Sequence, residues 1–401
     1  MMLDALKFTS AITELVNSRE PVCAYLYDLN SLSCHAAHIR KTLAKNIDFF
    51  YAIKANSDIP ILSTLAEWVD GFEASSGGEI QWVRSHFPHI PLIFSGPGKL
   101  DSELELAVLN NVTVHVESLY ELERLSYIAN SLNRQVSILL RVNPYMEELK
   151  VTSLVMGGKP TQFGIGIEHL SHCLQLIKRN AGHLVFQGFH FHLLSHQLDA
   201  RQHLLLLSAY IRQAKEWGRE FDLSIKQINV GGGIGINYRA LDQQFDWAVF
   251  AEGVNQLQSS NEDSLFQPRI RFEFGRYITG FCGAYAAEVI DVKTSGDRAY
   301  VVVKGGTHHF RTPYAQGHSH PFSIIPVSTW DKPYPRPEVK ARTVTVVGQL
   351  CTPKDVLATN AMVDQIRVGD IVLFSHAGAY AWHISHHDFL RHAHPQHIYF
   401  P

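Results

Sequence analysis

The sequence predicts an α/β chain built on a TIM-like (β/α)8 barrel, with an all-β domain attached. Three observations point there. Eight short, apolar, strand-like runs alternate with stretches of helical period between residues 49 and 276. Polar residues suited to chemistry gather at the C-terminal ends of those runs, where the loops of a parallel barrel converge. After Arg276 the texture changes to short strands separated by Gly- and Pro-rich turns, with no strong helical period between them. An open doubly wound sheet is the alternative, but such sheets usually have fewer strands.

In chain order, Pro21–Leu29 (PVCAYLYDL) reads as a first strand, closed by Asp28-Leu29-Asn30, and residues 31–44 as a helix. Barrel strands then end at Lys54 (FFYAIK), Ser75 (GFEAS), Gly96 (LIFSG), Ser118 (TVHVES) and Asn143 (VSILLRVN). Three more end at Ser195 (GFHFHLLS), Gly233 (INVGGG) and Arg276 (IRFEFGR). Amphipathic stretches at 102–110, 120–130, 169–179 and 200–217 supply helices between them. Strands at 284–292, 298–304, 343–347, 370–375 and 397–400 make a sandwich or barrel. The strand at 21–29 is expected to join that second domain. The domain is then discontinuous, residues 1–30 and 277–401, around a barrel of residues 31–276.

The bulk composition narrows the function. A chain of 401 residues suggests two or three domains. With 46% hydrophobic and 18% charged residues it can bury a large core. A formal net charge of -3 gives no nucleic-acid surface. Five scattered cysteines fit a reducing compartment better than a disulfide framework. The N-terminus lacks a basic region followed by an apolar one, and no apolar run reaches membrane-spanning length. These features predict a soluble, cytoplasmic protein with no membrane partner. The 23 histidines form no HExxH or Cys-His zinc spacing, so most are expected at the surface or hydrogen-bonded, and no metal is expected.

Lys54 leaves an apolar, aromatic strand in YAIKAN, where the chain must turn. In a water-poor setting its pKa can fall and its amine can attack an aldehyde; position alone favours a lysine snorkelling to solvent, and the later motifs reverse that reading. Gly231-Gly232-Gly233 follow an apolar strand, so their amides can surround an anion, and barrels often bind phosphate after strands seven and eight. Gly275-Arg276 supply the second half of such a cup. Glu273 ends strand eight and could bind a metal, act as a base or hold a protonated ring nitrogen. A lysine, a phosphate cup and a carboxylate together fit pyridoxal 5′-phosphate. Alternation puts His190 and His192 on one side of their strand. One of them could stack on the cofactor ring, with Ser195 donating to the phosphate. His190 reads better as a satisfied core histidine.

With these residues on the page, the chain resembles the fold type III pyridoxal-phosphate decarboxylases, the diaminopimelate and ornithine decarboxylase family. YAIKAN resembles the cofactor-lysine motif, and GFEASSGGEI the strand-two segment carrying Glu73 and Glu79. FSGPGKLDSEL and HFHLLS resemble the strand-three segment and the ring-stacking histidine motif, the latter assigning His192 and Ser195. EFGRY resembles the family's Glu-Pro-Gly-Arg, with Phe274 in place of proline. GQLCTPKD resembles the segment with the catalytic cysteine, which assigns Cys351, and GAY ends in the phosphate-reaching Tyr380. The resemblance implies a barrel plus β domain in a head-to-tail homodimer. Its active sites are then shared, Cys351 reaching the other subunit's cofactor and serving as proton donor.

Departures from the family pattern bear on substrate. The acid that usually follows the cysteine is Thr352, which removes the counter-charge for a distal amine. The usual glycine of the histidine motif is Leu194. Arg311, in HFRTPY with Tyr314, resembles an arginine that binds a substrate carboxylate. PTQFGI, VGQLCTPKDV, GHSHPF and the histidine-rich tail resemble decarboxylases of carboxylate-siderophore pathways, the staphyloferrin B type acting on citryl-L-2,3-diaminopropionate. His318, His320, His386 and His387 are candidates to line such a site, each also explicable as structural. Decarboxylation of citryl-serine, as in vibrioferrin-type pathways, or of diaminopimelate or ornithine is the alternative. An amino-acid racemase, an inactive partner-binding relative and a metal-dependent hydrolase are further rivals.

Overall fold

The computed structural model describes residues 5–16, 20–144, 160–259 and 266–401. Residues 1–4 of the N-terminal segment read above lie outside the described residues.

Helix α1 (Ala5–Val16) precedes strand β1 (Cys23–Asp28) and helix α2 (Leu29–Thr42). A regular alternation follows: β2 (Ile47–Ala52), α3 (Ile59–Ala66), β3 (Gly71–Ala74), α4 (Gly77–His86), β4 (Leu92–Phe94), α5 (Asp101–Leu109), β5 (Thr113–Val116), α6 (Leu119–Ser131) and β6 (Val136–Arg141). It continues through α7 (Leu170–Arg179), β7 (Leu184–His190), α8 (Ala200–Glu220), β8 (Gln227–Asn229), α9 (Trp247–Ser259) and β9 (Arg269–Phe274). Strands β2 to β9 form a closed parallel barrel, sealed where Phe49 of β2 pairs with Phe272 of β9. All eight strands are present at the predicted runs, but β7 stops at His190, short of the predicted end at Ser195, and β8 stops at Asn229, short of Gly233, because the chain leaves the barrel there as loop. The apolar runs are continuous because both faces are covered, by barrel interior on one side and helices on the other. Every residue of β2 is buried.

The ends of β3 and β5 are sharp because the next helix is capped at once. Ser76 Oγ accepts from the Glu79 amide at the start of α4, and Ser118 Oγ from the Glu121 amide at the start of α6. These two caps turn the chain within two residues of β3 and β5 and leave acidic side chains at the barrel mouth. Glu79 Oε2 in turn accepts from the Ser75 amide at 2.6 Å.

After the short helix α10 (Arg276–Thr279) comes the second region: β10 (Gly283–Ser295), β11 (Arg298–Val303), α11 (Thr312–Gln316), β12 (Phe322–Ile325), β13 (Glu338–Val347), β14 (Val356–Arg367), β15 (Ile371–Phe374) and β16 (Gln396–Phe400). These strands and β1 make one mixed, mostly antiparallel sheet. Strand β10 is shared, its first half pairing with β1 and β15 and its second half with β11, across a bulge at Val289–Asp291. Thus Cys23–Asp28 does pair into the second sheet. Helix α1 packs Phe8 and Ile12 on its face against Ala284, Ala286 and Leu373.

Strands β12 and β14 and helix α1 are not anticipated by the sequence reading. In β14 the burial pattern is irregular, and register shifts against β13 break the alternation that marks a strand. The second region also closes over the barrel mouth. The Tyr380 amide donates to the Ala55 carbonyl at 2.8 Å, and Asn56 Nδ2 to the Gly378 carbonyl at 3.2 Å. Asp58 accepts from Tyr399 Oη at 2.9 Å and lies 3.2 Å from His383 Nε2. The turn bearing Lys54 is thereby tied to the C-terminal segment.

Candidate active site

Lys54 lies just past β2, in a single helical turn, Ile53–Ala55. Its Nζ is 3.0 Å from one Glu73 oxygen, 3.2 Å from the other, and 3.3 Å from Ser75 Oγ. The side chain is 42% exposed into the open cavity, whereas Glu73 is fully buried. Enclosure pulls the lysine pKa down, but the charges of Glu73, then Tyr380 and Glu273, outweigh it, and the amine is held above the ordinary lysine value. This corrects the expectation of a lowered pKa, because the apolar strand delivers the lysine to a carboxylate and not to a dry pocket. In this state Lys54 is a charged ammonium ion held in place by Glu73.

Glu273, in β9, is the centre of the cavity floor. Asn229 Nδ2 from β8 donates to its Oε1 at 2.7 Å, His115 Nδ1 from β5 lies 3.5 Å away, and His190 Nε2 from β7 lies 3.7 Å away. Burial and the negative charge of Glu73 raise the Glu273 pKa to about 7, against the pull of Lys54, Asn229 and Arg141. His115 and His190 are pushed well below the ordinary histidine value, chiefly by burial, and are neutral. His115 Nδ1 is also 2.9 Å from Ser95 Oγ. Among the described residues neither ring nitrogen of His190 has a hydrogen-bond partner. His190 is therefore not the satisfied core histidine the sequence suggests.

The spacing of acids and histidines gives no hint of this cluster, yet ligand atoms of His115, His190 and Glu273 lie within 4.8 Å of one another. Their types suit a metal, but Arg271, Lys99, Arg141 and Lys54 surround them with positive charge. A carboxylate poised near neutrality beside neutral imidazoles suits a protonated ring nitrogen better. The broader expectation for histidine holds: only His115, His190, His203, His308, His309, His320 and His376 of the 23 are buried, and His115, His309, His320 and His376 among them are hydrogen-bonded; among the described residues His308, like His190, has no partner at either ring nitrogen.

The glycines form a cradle that side chains would fill. Gly231 and Gly233 have φ of +65° and +87°, which glycine adopts without strain. A Cβ at Gly232 would lie 2.1 Å from the Glu273 carbonyl oxygen, and one at Gly275 would lie 3.0 Å from Tyr380 Oη. Asn229 ties this loop to the acid, its Oδ1 accepting from the Gly231 amide at 2.9 Å. Arg276 stands over the Tyr380 ring at 4.6 Å and donates to Tyr238 Oη at 2.9 Å. His192 lies beyond the end of β7, with Nδ1 accepting from the Gly232 amide at 3.4 Å.

Lys54, His192, Ser195, Gly233, Glu273, Gly275, Arg276 and Tyr380 line one cavity of about 410 Å³. Glu73 lies directly behind Lys54. Amine, anion cradle and tuned carboxylate around one such volume fit pyridoxal 5′-phosphate. Sequence reasoning missed Arg141, His115 and Asn229. Arg141 lines the same cavity and pairs with Glu117 at 2.7 Å. Their signal was available: each is a polar residue at or near the end of an otherwise apolar strand.

Cys351 and the residues assigned to substrate stand apart from this cavity. Cys351 is exposed, and Thr352 lines a different hollow beside Asp355 and Tyr300. Arg311 and Tyr314 are exposed, at the start of and within α11. His387 stacks on Trp382, with ring centroids 3.5 Å apart. Within one chain, none of these five lines the cofactor cavity.

Residues 29–280 match the model of the pyridoxal-binding domain of pyridoxal-dependent decarboxylases. The chain is 41% identical to 2-[(L-alanin-3-ylcarbamoyl)methyl]-2-hydroxybutanedioate decarboxylase of Staphylococcus aureus, across 97% of this chain and 96% of that one. It is 30% identical to L-glutamyl-[BtrI acyl-carrier protein] decarboxylase of Niallia circulans, across 92% and 87%. Its structure resembles diaminopimelate decarboxylase from Helicobacter pylori complexed with L-lysine, with a TM-score of 0.83, 25% identity, and 98% and 94% of the two chains covered.

Proposed function

Because this chain belongs to the pyridoxal-dependent decarboxylases, we propose that it removes the α-carboxylate of an amino acid amide-linked to a hydroxylated dicarboxylate. The substrate is 2-[(L-alanin-3-ylcarbamoyl)methyl]-2-hydroxybutanedioate, which is citryl-L-2,3-diaminopropionate, a siderophore precursor. The observation that carries the choice is the 41% identity, sustained over nearly both full lengths, with a decarboxylase of that compound.

Bound pyridoxal 5′-phosphate supplies an electron sink conjugated with the α-carbon. The protein's residues prepare that chemistry. Lys54 is the amine assigned to the cofactor aldehyde, and Glu73 and Ser75 hold it at the cavity floor. Before it can act as a nucleophile it must lose a proton, and Glu73, 3.0 Å away, is the nearest acceptor. Glu273 holds a proton at the ring nitrogen, with Asn229 fixing the carboxylate. The glycine loop, Ser195, Gly275, Arg276 and Tyr380 hold the phosphate, and His192 supports the ring face. Cys351 of a second copy returns the proton to the α-carbon, which accounts for its exposure in the single chain. A homodimer with shared sites follows from this assignment. Among the described residues no helix is long and apolar enough to cross a membrane.

The test is carbon dioxide release by the cofactor-loaded enzyme. The citryl amide is compared with citryl-serine, diaminopimelate, ornithine and lysine. A kcat/KM for the citryl amide at least about a hundredfold above the free diamino acids is expected, since their tails lack its charge-assisted contacts. Preference for a free diamino acid would overturn the substrate assignment.

A further inference from the structure

The cofactor cavity does not end at the phosphate cradle. A second chamber of about 590 Å³ adjoins it and shares Ser195, His196 and Arg276 with it. Nothing in the chemistry above uses this space. Its lining contains Arg239, Arg276, His196 and His318 and, among the described residues, no carboxylate. Resting on the substrate reading above, we infer that this chamber holds the distal hydroxydicarboxylate of the substrate, with Arg239 as its principal anion contact.

Three features support the assignment. First, Arg239 is exposed and has no carboxylate partner among the described residues, so its charge is not already neutralised. Its backbone is nevertheless fixed, because Asn237 Oδ1 accepts from the amides of Arg239 and Ala240, both at 3.1 Å. An arginine on an anchored turn can offer its planar fork to a carboxylate at low cost in backbone ordering.

Second, the chamber wall is stiff. The Tyr238 ring lies between two imidazoles, at 4.6 Å and 10° from His318 and 6.2 Å and 13° from His196. Its hydroxyl accepts from Arg276 Nη1 at 2.9 Å. Arg276 thus faces both cavities, and Tyr238 links the phosphate cup to the chamber.

Third, the polar roles match a tail carrying carboxylates and a hydroxyl. His320 Nε2 meets the Ser375 carbonyl at 2.7 Å, so it donates there, and its Nδ1 accepts from His318 Nε2 at 2.9 Å. Neutral His318 is then left with Nδ1 as an acceptor, which suits a hydroxyl, while the two arginines suit carboxylates. A free diamino acid would put an ammonium group among these cations.

The experiment uses the cofactor-loaded enzyme and the variants Arg239→Gln and Arg239→Lys. Citrate is titrated calorimetrically, which requires no turnover, and KM and kcat are measured with the citryl amide. Arg239→Gln is expected to weaken citrate binding and raise KM about tenfold or more, the loss falling on KM and not kcat, with partial recovery in Arg239→Lys. Citrate affinity within twofold of wild type in Arg239→Gln would overturn the inference, as would failure of citrate to bind the wild type. Arg239-dependent citrate binding without turnover of the citryl amide would uphold the chamber and refute the substrate reading instead.

Discussion

Replacing Glu273 by glutamine isolates the one carboxylate on which the cofactor assignment depends. In the protein without cofactor, Glu273 has a pKa raised from 4.5 to about 7 by burial and by Glu73. Below pH 4.5 it is protonated in folded and unfolded chains alike. Between pH 4.5 and 7 the folded chain binds the extra proton, so stability falls as pH rises through this window. The gap of about 2.5 pH units, at about 1.4 kcal/mol per unit, corresponds to about 3 kcal/mol of stability lost by pH 8. His115 and His190 act in the opposite direction. They are held neutral in the folded chain, so they favour unfolding as pH falls below 6.5. That contribution is common to both proteins and cancels in their difference. The assay is denaturant unfolding of cofactor-free wild type and Glu273→Gln from pH 4.5 to 8.5. The wild type should lose about 3 kcal/mol relative to the variant across the range. Parallel curves would refute the placement of a poised carboxylate here. In the loaded enzyme the same substitution removes the group assigned to the ring nitrogen, and turnover should fall by roughly a hundredfold or more.

Two further substitutions test other parts of the site. Gly275→Ala places a Cβ 3.0 Å from Tyr380 Oη and 3.2 Å from the Ala55 Cβ, and should weaken cofactor affinity about tenfold in equilibrium dialysis; unchanged affinity would count against the phosphate cup. Lys54→Ala and Cys351→Ala should each be nearly inactive alone, yet mixed subunits should recover about a quarter of wild-type activity, because half the dimers are mixed and each holds one intact site. No recovery on mixing, with exchange verified, would remove Cys351 from a shared site.

Much of this protein was legible without coordinates. The barrel follows from local rules: both faces of each strand are covered, so strands read as unbroken apolar runs, and Ser-x-x-Glu caps start helices at their ends. Because such a barrel collects its strand ends on one face, Lys54, Glu273 and the glycine loop could be grouped from order alone. Tertiary structure decided what local pattern does not encode. The pKa of Lys54 is raised and not lowered because Glu73 comes from the neighbouring strand. His115, Asn229 and Glu273 lie on β5, β8 and β9, and only barrel closure brings them into contact. The bulged β14 escaped because its alternation is broken by pairing, not by composition. Arg239 carries no motif, and only the fold, which sets Ala315 and Gln316 of α11 across from the loop after β8, makes its surroundings a chamber. Strand and turn propensities act within a few residues, whereas charge and desolvation act through space. The sequence therefore determined the scaffold and the kind of cofactor, and the fold determined the protonation and the space around it.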